Sequence, residues 1–166
     1  CALTSAGAAY CWGYNMFGQL GDSTNTHMST PVTVILPAGV TFASISVGQN
    51  HTCAITSTGT AYCWGDGSSG EIGDGTPGHA FAPIPVSMPA GVTFTSITAG
   101  VIYTCALTSA GAAYCWGNNY YGQIGDGTTT DRTTPVAVSM PAGVTFTSIT
   151  AGVIYTCALT SAGAAY

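Results

Sequence analysis

Short runs rich in Val, Ile, Thr, Tyr and Ala, such as Tyr103-Thr-Cys-Ala-Leu107 and Val136-Ala-Val-Ser139, alternate along the chain with clusters of Gly, Pro, Asn, Asp and Ser. No stretch carries the apolar spacing of an amphipathic helix, and runs of this length and composition, punctuated in this way, predict strands. The strands are apolar on both faces rather than alternating, as expected of sheets sandwiched between neighbouring sheets.

The pattern repeats. Cys105-Ala-Leu-Thr-Ser-Ala-Gly-Ala-Ala-Tyr-Cys-Trp-Gly117 has close copies at Cys1–Gly13 and Cys53–Gly65, and Cys157 opens another; starts at 1, 53, 105 and 157 give a period of 52 residues without insertion or deletion. A fixed period in this range marks a repeat array or a propeller. The units run 1–52, 53–104 and 105–156, and residues 157–166 begin a fourth, cut short before its second half. Each unit contains a hairpin, a glycine-rich loop, a polar variable stretch leading to Pro31, Pro83 or Pro135 and a short strand, then Pro-Ala-Gly-Val-Thr-Phe and a last strand. The predicted fold class is therefore all-β: tandem four-stranded blades, closed as a propeller ring or left open as a superhelical array. One blade cannot bury both faces alone, so stacking must stabilise the array.

The hairpin has a definite register. Ser5-Ala6-Gly7 suits a three-residue loop with glycine at its left-handed position. Folding about Ala6 opposes Leu3 to Ala9, Ala2 to Tyr10 and Cys1 to Cys11, the cysteines as a closely approaching non-hydrogen-bonded pair. The same geometry opposes Cys53 to Cys63 and Cys105 to Cys115. The alternative is six buried free thiols, and recurrence of both cysteines at opposed positions favours cross-strand disulfides. Repeated disulfides imply an oxidising compartment, and hence an extracellular or cell-surface protein.

Charge narrows the function. There is one cation, Arg132, against six acidic residues, and charged residues make up only 4% of the chain. A nucleic-acid partner needs a basic patch, and peripheral membrane binding needs a cationic face. Neither is available, and no apolar run approaches the length of a membrane span.

The string Cys-Ala-Leu-Thr-Ser-x-Gly-x-x-Tyr-Cys-Trp-Gly, then Asn118-Asn-Tyr-Tyr-Gly-Gln-Ile-Gly-Asp-Gly-Thr128, then a Pro-Val strand closely resembles the repeat of the regulator of chromosome condensation superfamily. The resemblance covers every full unit. It implies β-propeller blades of four strands, seven to a ring, and a family that includes a nuclear exchange factor for a small GTPase, a secreted inhibitor of β-lactamase and many extracellular bacterial proteins. The paired cysteines and low charge place this chain nearest the last group. Seven units at this period need more than twice the 166 residues here, and Cys157–Tyr166 repeats Cys1–Tyr10 letter for letter. Such ends cannot close a ring by supplying complementary strands to one blade.

Candidate sites are few. Asp22, Asp74 and Asp126 recur with the period, but one carboxylate per unit is thin for calcium, and a turn-forming role is the stronger reading. His27, His51, His79 and Glu71 form no catalytic motif, no metal or other cofactor is expected, and the chain is expected not to be an enzyme. Trp12, Trp64 and Trp116 precede the loop glycine at every repeat and read as packing between blades. Met16, Phe17, Tyr120 and Tyr121 lie in the variable loops and are the candidates for contact with a partner. Asn50-His-Thr52 is the one N-glycosylation sequon, and Asn50 is a possible acceptor.

Two functions compete. Near-identical stacking residues (Val86–Tyr114 matches Val138–Tyr166 throughout), duplicated ends and low charge suggest a structural protein that assembles with itself, end to end, into an extracellular fibre or sheath. The alternative is a segment of a secreted propeller that holds a glycan or a surface protein on its variable loops.

Overall fold

The computed structural model describes residues 1–166 and contains thirteen strands and no helix. In chain order these are β1 (Ala2–Leu3), β2 (Ala9–Gly13), β3 (Met28–Thr33), β4 (Phe42–Val47), β5 (His51–Thr56), β6 (Ala61–Gly65), β7 (Ala80–Pro85), β8 (Ser96–Ala99), β9 (Tyr103–Leu107), β10 (Ala113–Gly117), β11 (Arg132–Ala137), β12 (Ser148–Ala151) and β13 (Thr156–Leu159). They form antiparallel meanders: a three-stranded sheet β1-β2-β3, two four-stranded sheets β4-β5-β6-β7 and β8-β9-β10-β11, and a two-stranded sheet β12-β13. The sheets stack without closing. Each complete blade begins with the last strand of one sequence unit and takes its other three from the next.

The hairpins have the register their sequence dictates. Ala2 faces Tyr10 and Leu3 faces Ala9, and Cys53 and Cys105 directly oppose Cys63 and Cys115. Gly7, Gly59 and Gly111 all have φ near +80°, and each turn closes through an N–H to C=O pair such as Thr4 to Ala8 at 2.9 Å. Disulfides join Cys1–Cys11, Cys53–Cys63 and Cys105–Cys115, with Cα atoms 4.0 to 4.1 Å apart. Cys157 is a free thiol.

Proline marks the outer edge of each blade. Pro31, Pro83 and Pro135 sit in β3, β7 and β11, the strands with one unpaired side, where a missing N–H costs nothing and blocks further pairing. The opposite edges, β4, β8 and β12, converge on one another. There Ala99 N–H donates to Ser46 Oγ at 3.0 Å, and Ala151 N–H donates to Thr98 Oγ1 at 3.3 Å, the same bond one period later.

Blades are joined by tryptophan. Trp64 and Trp116 are fully buried, each stacked on the phenylalanine that opens its own blade: Phe42 at 5.8 Å and Phe94 at 6.0 Å between ring centroids. Each indole N–H reaches across to the preceding blade, Trp64 to the carbonyl of Gln19 and Trp116 to that of Glu71. The same carbonyls accept the hydroxyls of Thr52 and Thr104. The approach requires glycine: a Cβ on Gly21, whose φ is +73°, would lie 2.7 Å from the Trp64 indole nitrogen.

Candidate functional site

Antiparallel order sorts the connections onto two faces. The β5–β6 turn and the long β7–β8 connection lie at one end of the blade, and the β4–β5 turn and the glycine-rich β6–β7 loop lie at the other. Residues 14–27, 66–79 and 118–131 therefore line up on one face, which is where the units differ most in sequence.

A buried asparagine organises the first and third of these loops. Asn15 accepts Leu20 N–H on its side-chain oxygen and donates through Nδ2 to Asp22 and to the carbonyls of Thr24 and Thr26. Asn119 repeats the set with Ile124, Asp126, Thr128 and Thr130. In the middle loop the position is Gly67. Asp22, Asp74 and Asp126 each accept the backbone N–H and the hydroxyl of the threonine two residues on, so they serve as turn formers. Arg132, the one cation, is spent within the third loop on Asp126 and Thr128.

With the loop cores so tied, their apolar side chains project. Met16, Tyr120 and Tyr121 are 56%, 72% and 65% exposed, and the two tyrosines meet edge to face at 4.9 Å. Phe17 is partly covered and lies against His79 of the next loop at 5.2 Å. Tyr14 stacks on His27 at 4.7 Å. Between the aromatic first and third loops the second presents Ser68 and Ser69, so the face is an apolar pair, a polar gap and an apolar pair. Asn50 is half-buried in the β4–β5 turn beside this face, and Thr52 of its sequon is buried with its hydroxyl donated to Gln19.

Sequence reading missed three features of these loops. The buried Asn15 and Asn119 share a phase of the period, a signal visible once loops are aligned. His27 and His79 also share a phase, with Asp131 as the third member. His27 Nδ1 and an Asp131 carboxylate oxygen accept the loop N–H of Asn15 and Asn119 at 3.0 and 2.7 Å, whereas His79 pairs with Asp66 at 3.2 Å. Glu71 stands where the other units have Gln19 and Gln123, and its carboxylate takes the same N–H two residues back, from Ser69.

That substitution has an electrostatic consequence. Burial raises the Glu71 pKa to about 7, with Asp66 and Asp131 adding to the rise and backbone N–H donors opposing it. Burial lowers His51 to about 4, against the opposing charge of Asp66; its Nε2 lies 2.9 Å from the hydroxyl of Thr104 in the next blade. At Asp126 partial burial raises the pKa, but hydrogen bonds from Thr128 and Arg132 outweigh it and hold the carboxyl below its ordinary value. His51 and Glu71 face the interior between blades. No three His, Cys, Asp or Glu residues come together as a metal site.

The model of the regulator of chromosome condensation (RCC1) repeat matches residues 6–55, 58–107 and 110–159. The ultraviolet-B receptor UVR8 of Arabidopsis thaliana is 30% identical over 95% of this chain and 36% of its own length. The human E3 ubiquitin-protein ligase HERC2 is 30% identical over 96% of this chain and 3% of its length. The chain thus spans about a third or less of these curated relatives. In three dimensions it is similar to Prp20p of Saccharomyces cerevisiae, described with its binding to Gsp1p and histones, at a TM-score of 0.84 and 23% identity over 95% of this chain and 40% of the other. It is also similar to the ectodomain of the receptor kinase CR4 of Physcomitrella patens, at a TM-score of 0.60 and 22% identity over 98% of this chain and 36% of that one.

Proposed function

Because the chain belongs to the regulator of chromosome condensation (RCC1) repeat family, we propose that it is a non-enzymatic, propeller-type binding module that holds a protein partner on the face built from loops 14–27, 66–79 and 118–131. The observation that carries this reading is the contrast between uniform blades and variable loops that present Met16, Tyr120 and Tyr121 to solvent. Exposed aromatics on a rigid support are the side chains that dominate binding energy at protein interfaces. Nothing on this face carries excess positive charge, which points to a polar or apolar partner rather than an anionic polymer.

Family membership supports binding over the fibre that the repeat pattern alone suggests. Prp20p, by its description, binds the proteins Gsp1p and histones. An oxidising, extracellular setting is supported by the three disulfides and by use of the same fold as the CR4 ectodomain. A catalytic role has no comparable support, because the two strongly shifted groups, His51 and Glu71, are buried in structural contacts.

The test is affinity capture from surface proteins of the source cells, followed by measured affinity of the purified partner. Tyr120→Ala/Tyr121→Ala should weaken binding at least tenfold, and Ser57→Ala/Thr58→Ala on the opposite face should leave it unchanged. Equal effects of the two double variants would defeat the reading.

A further inference from the structure

Glu71, the one glutamate in the chain, occupies a position that is buried in every unit: Glu71, Gln19 and Gln123 are 1%, 7% and 4% exposed. In the third unit the Gln123 amide is satisfied on both sides. Its Oε1 accepts Tyr121 N–H at 3.0 Å, and its Nε2 donates to Asn118 Oδ1 at 3.0 Å. In the first unit Tyr14 stands in place of Asn118, and Gln19 Nε2 is buried without a hydrogen-bond partner. The first residue of the loop thus decides whether the buried side chain is satisfied.

The middle unit changes both members at once, with Asp66 for Asn118 and Glu71 for Gln123. Each keeps its local bond: Asp66 Oδ1 accepts Ser68 N–H at 3.0 Å, and Glu71 Oε2 accepts Ser69 N–H at 2.9 Å. The register then sets the second Glu71 oxygen where Gln123 carries its donor, facing the Asp66 carboxyl. Two like charges this close in a buried site cannot both be ionised, so a hydrogen must lie between them. No cation relieves the pair. Arg132 is committed to Asp126, Asp131 on the next loop adds negative charge, His79 lies 3.2 Å from Asp66 Oδ1, and buried His51 bonds Thr104.

We infer that Asp66 and Glu71 share one proton, and that this bond is a pH-sensitive latch on loop 66–79. While the proton is held, Glu71 donates to Asp66 as Gln123 does to Asn118. When it leaves to solvent, two carboxylates face each other, and the loop opens to separate them. This loop has the least to hold it otherwise, because Gly67 replaces the buried asparagine that ties the other two. Opening reaches the joint between blades, since the Glu71 carbonyl accepts the Trp116 indole N–H at 2.9 Å and the Thr104 hydroxyl at 3.0 Å. Burial above all, with Asp66 and Asp131 adding to it, raises the Glu71 pKa from 4.5 to about 7. The closed loop is therefore favoured most below about pH 4.5 and loses that advantage as pH rises through about 7.

With a single glutamate, carboxyl-¹³C labelling of that residue type gives one NMR signal to titrate in the 166-residue chain. Its midpoint should lie near 7 in the parent and fall by at least about one pH unit in Asp66→Asn, which removes the opposing charge. Amide protection factors over 66–79 should drop at least about tenfold between about pH 5 and 7.5, while those over 118–131 stay level. Asp66→Asn/Glu71→Gln installs the third unit's pair in the same backbone, so it should fold and abolish the drop. His79→Gln should leave the drop in place. These measurements need no partner, so their outcome is separate from binding on the loop face. A Glu71 midpoint indifferent to Asp66→Asn, a drop that survives the double variant, or one that disappears with His79 would overturn the inference.

Discussion

Single residues set the limits of stability. Each disulfide closes a loop of ten residues' separation, for which chain entropy gives about 3 kcal/mol, so Cys53→Ala/Cys63→Ala should lower unfolding free energy by about that amount in denaturant titrations. The pairing follows from two cysteines at opposed positions in every hairpin, a signal fully present in the letters. The behaviour of Glu71 is not, because its shift depends on burial that one side chain's neighbours cannot reveal. Its folded pKa of about 7 lies above its ordinary value of 4.5, so the folded state holds the proton more tightly. Stability from this group is full below about pH 4.5 and is lost as pH rises through 7. His51, depressed from 6.5 to about 4, does the reverse, and its contribution is lost as pH falls from 6.5 towards 4. The two slopes oppose each other between about pH 4.5 and 6.5. Glu71→Gln, which installs the residue of the other units, should raise the melting temperature at pH 8, change it little at pH 4, and expose the His51 slope. Equal shifts at both pH values would refute this assignment.

At the scale of the element, the loop is held from inside by one amide. Asn119→Ala would strip five hydrogen bonds from the third loop and leave the Ile124 N–H buried without a partner. The expected cost is about 1–3 kcal/mol, with faster amide exchange over 118–131 and little change in β9 or β10. Uniform slowing or uniform loss of protection would contradict such a local role. The strands themselves were legible: Gly and Pro punctuation, apolar runs and the hairpin turn sufficed to place them. The loops were less so, since polar side chains in them read alike whether they are fully buried and organise the loop, as Asn119 is, or half-buried and tied to neighbours, as Asn118 is, its side-chain oxygen accepting from Tyr120 N–H and Gln123 Nε2. Trp116 illustrates the middle ground. Its recurrence suggested packing between blades, but its acceptor, the carbonyl of Glu71, lies 45 residues away and only the stack brings it near.

Across the whole molecule, repetition and variation are segregated. The 52-residue period supplies nearly interchangeable joints, and the sequence differences collect on one face. The same repetition misleads when read alone. Uniform joints suggest a fibre, whereas membership of the repeat family and the aromatic loop face favour a binding module. The binding account rests on which face meets the partner. Hydrogen–deuterium exchange of the chain with its captured partner, compared with the chain alone, reads this directly. The account predicts new protection over 14–27, 66–79 and 118–131, strongest around Tyr120 and Tyr121, and none at the turns 56–60 and 108–112. Protection confined to those turns, or to the outer strands β3, β7 and β11, would contradict it.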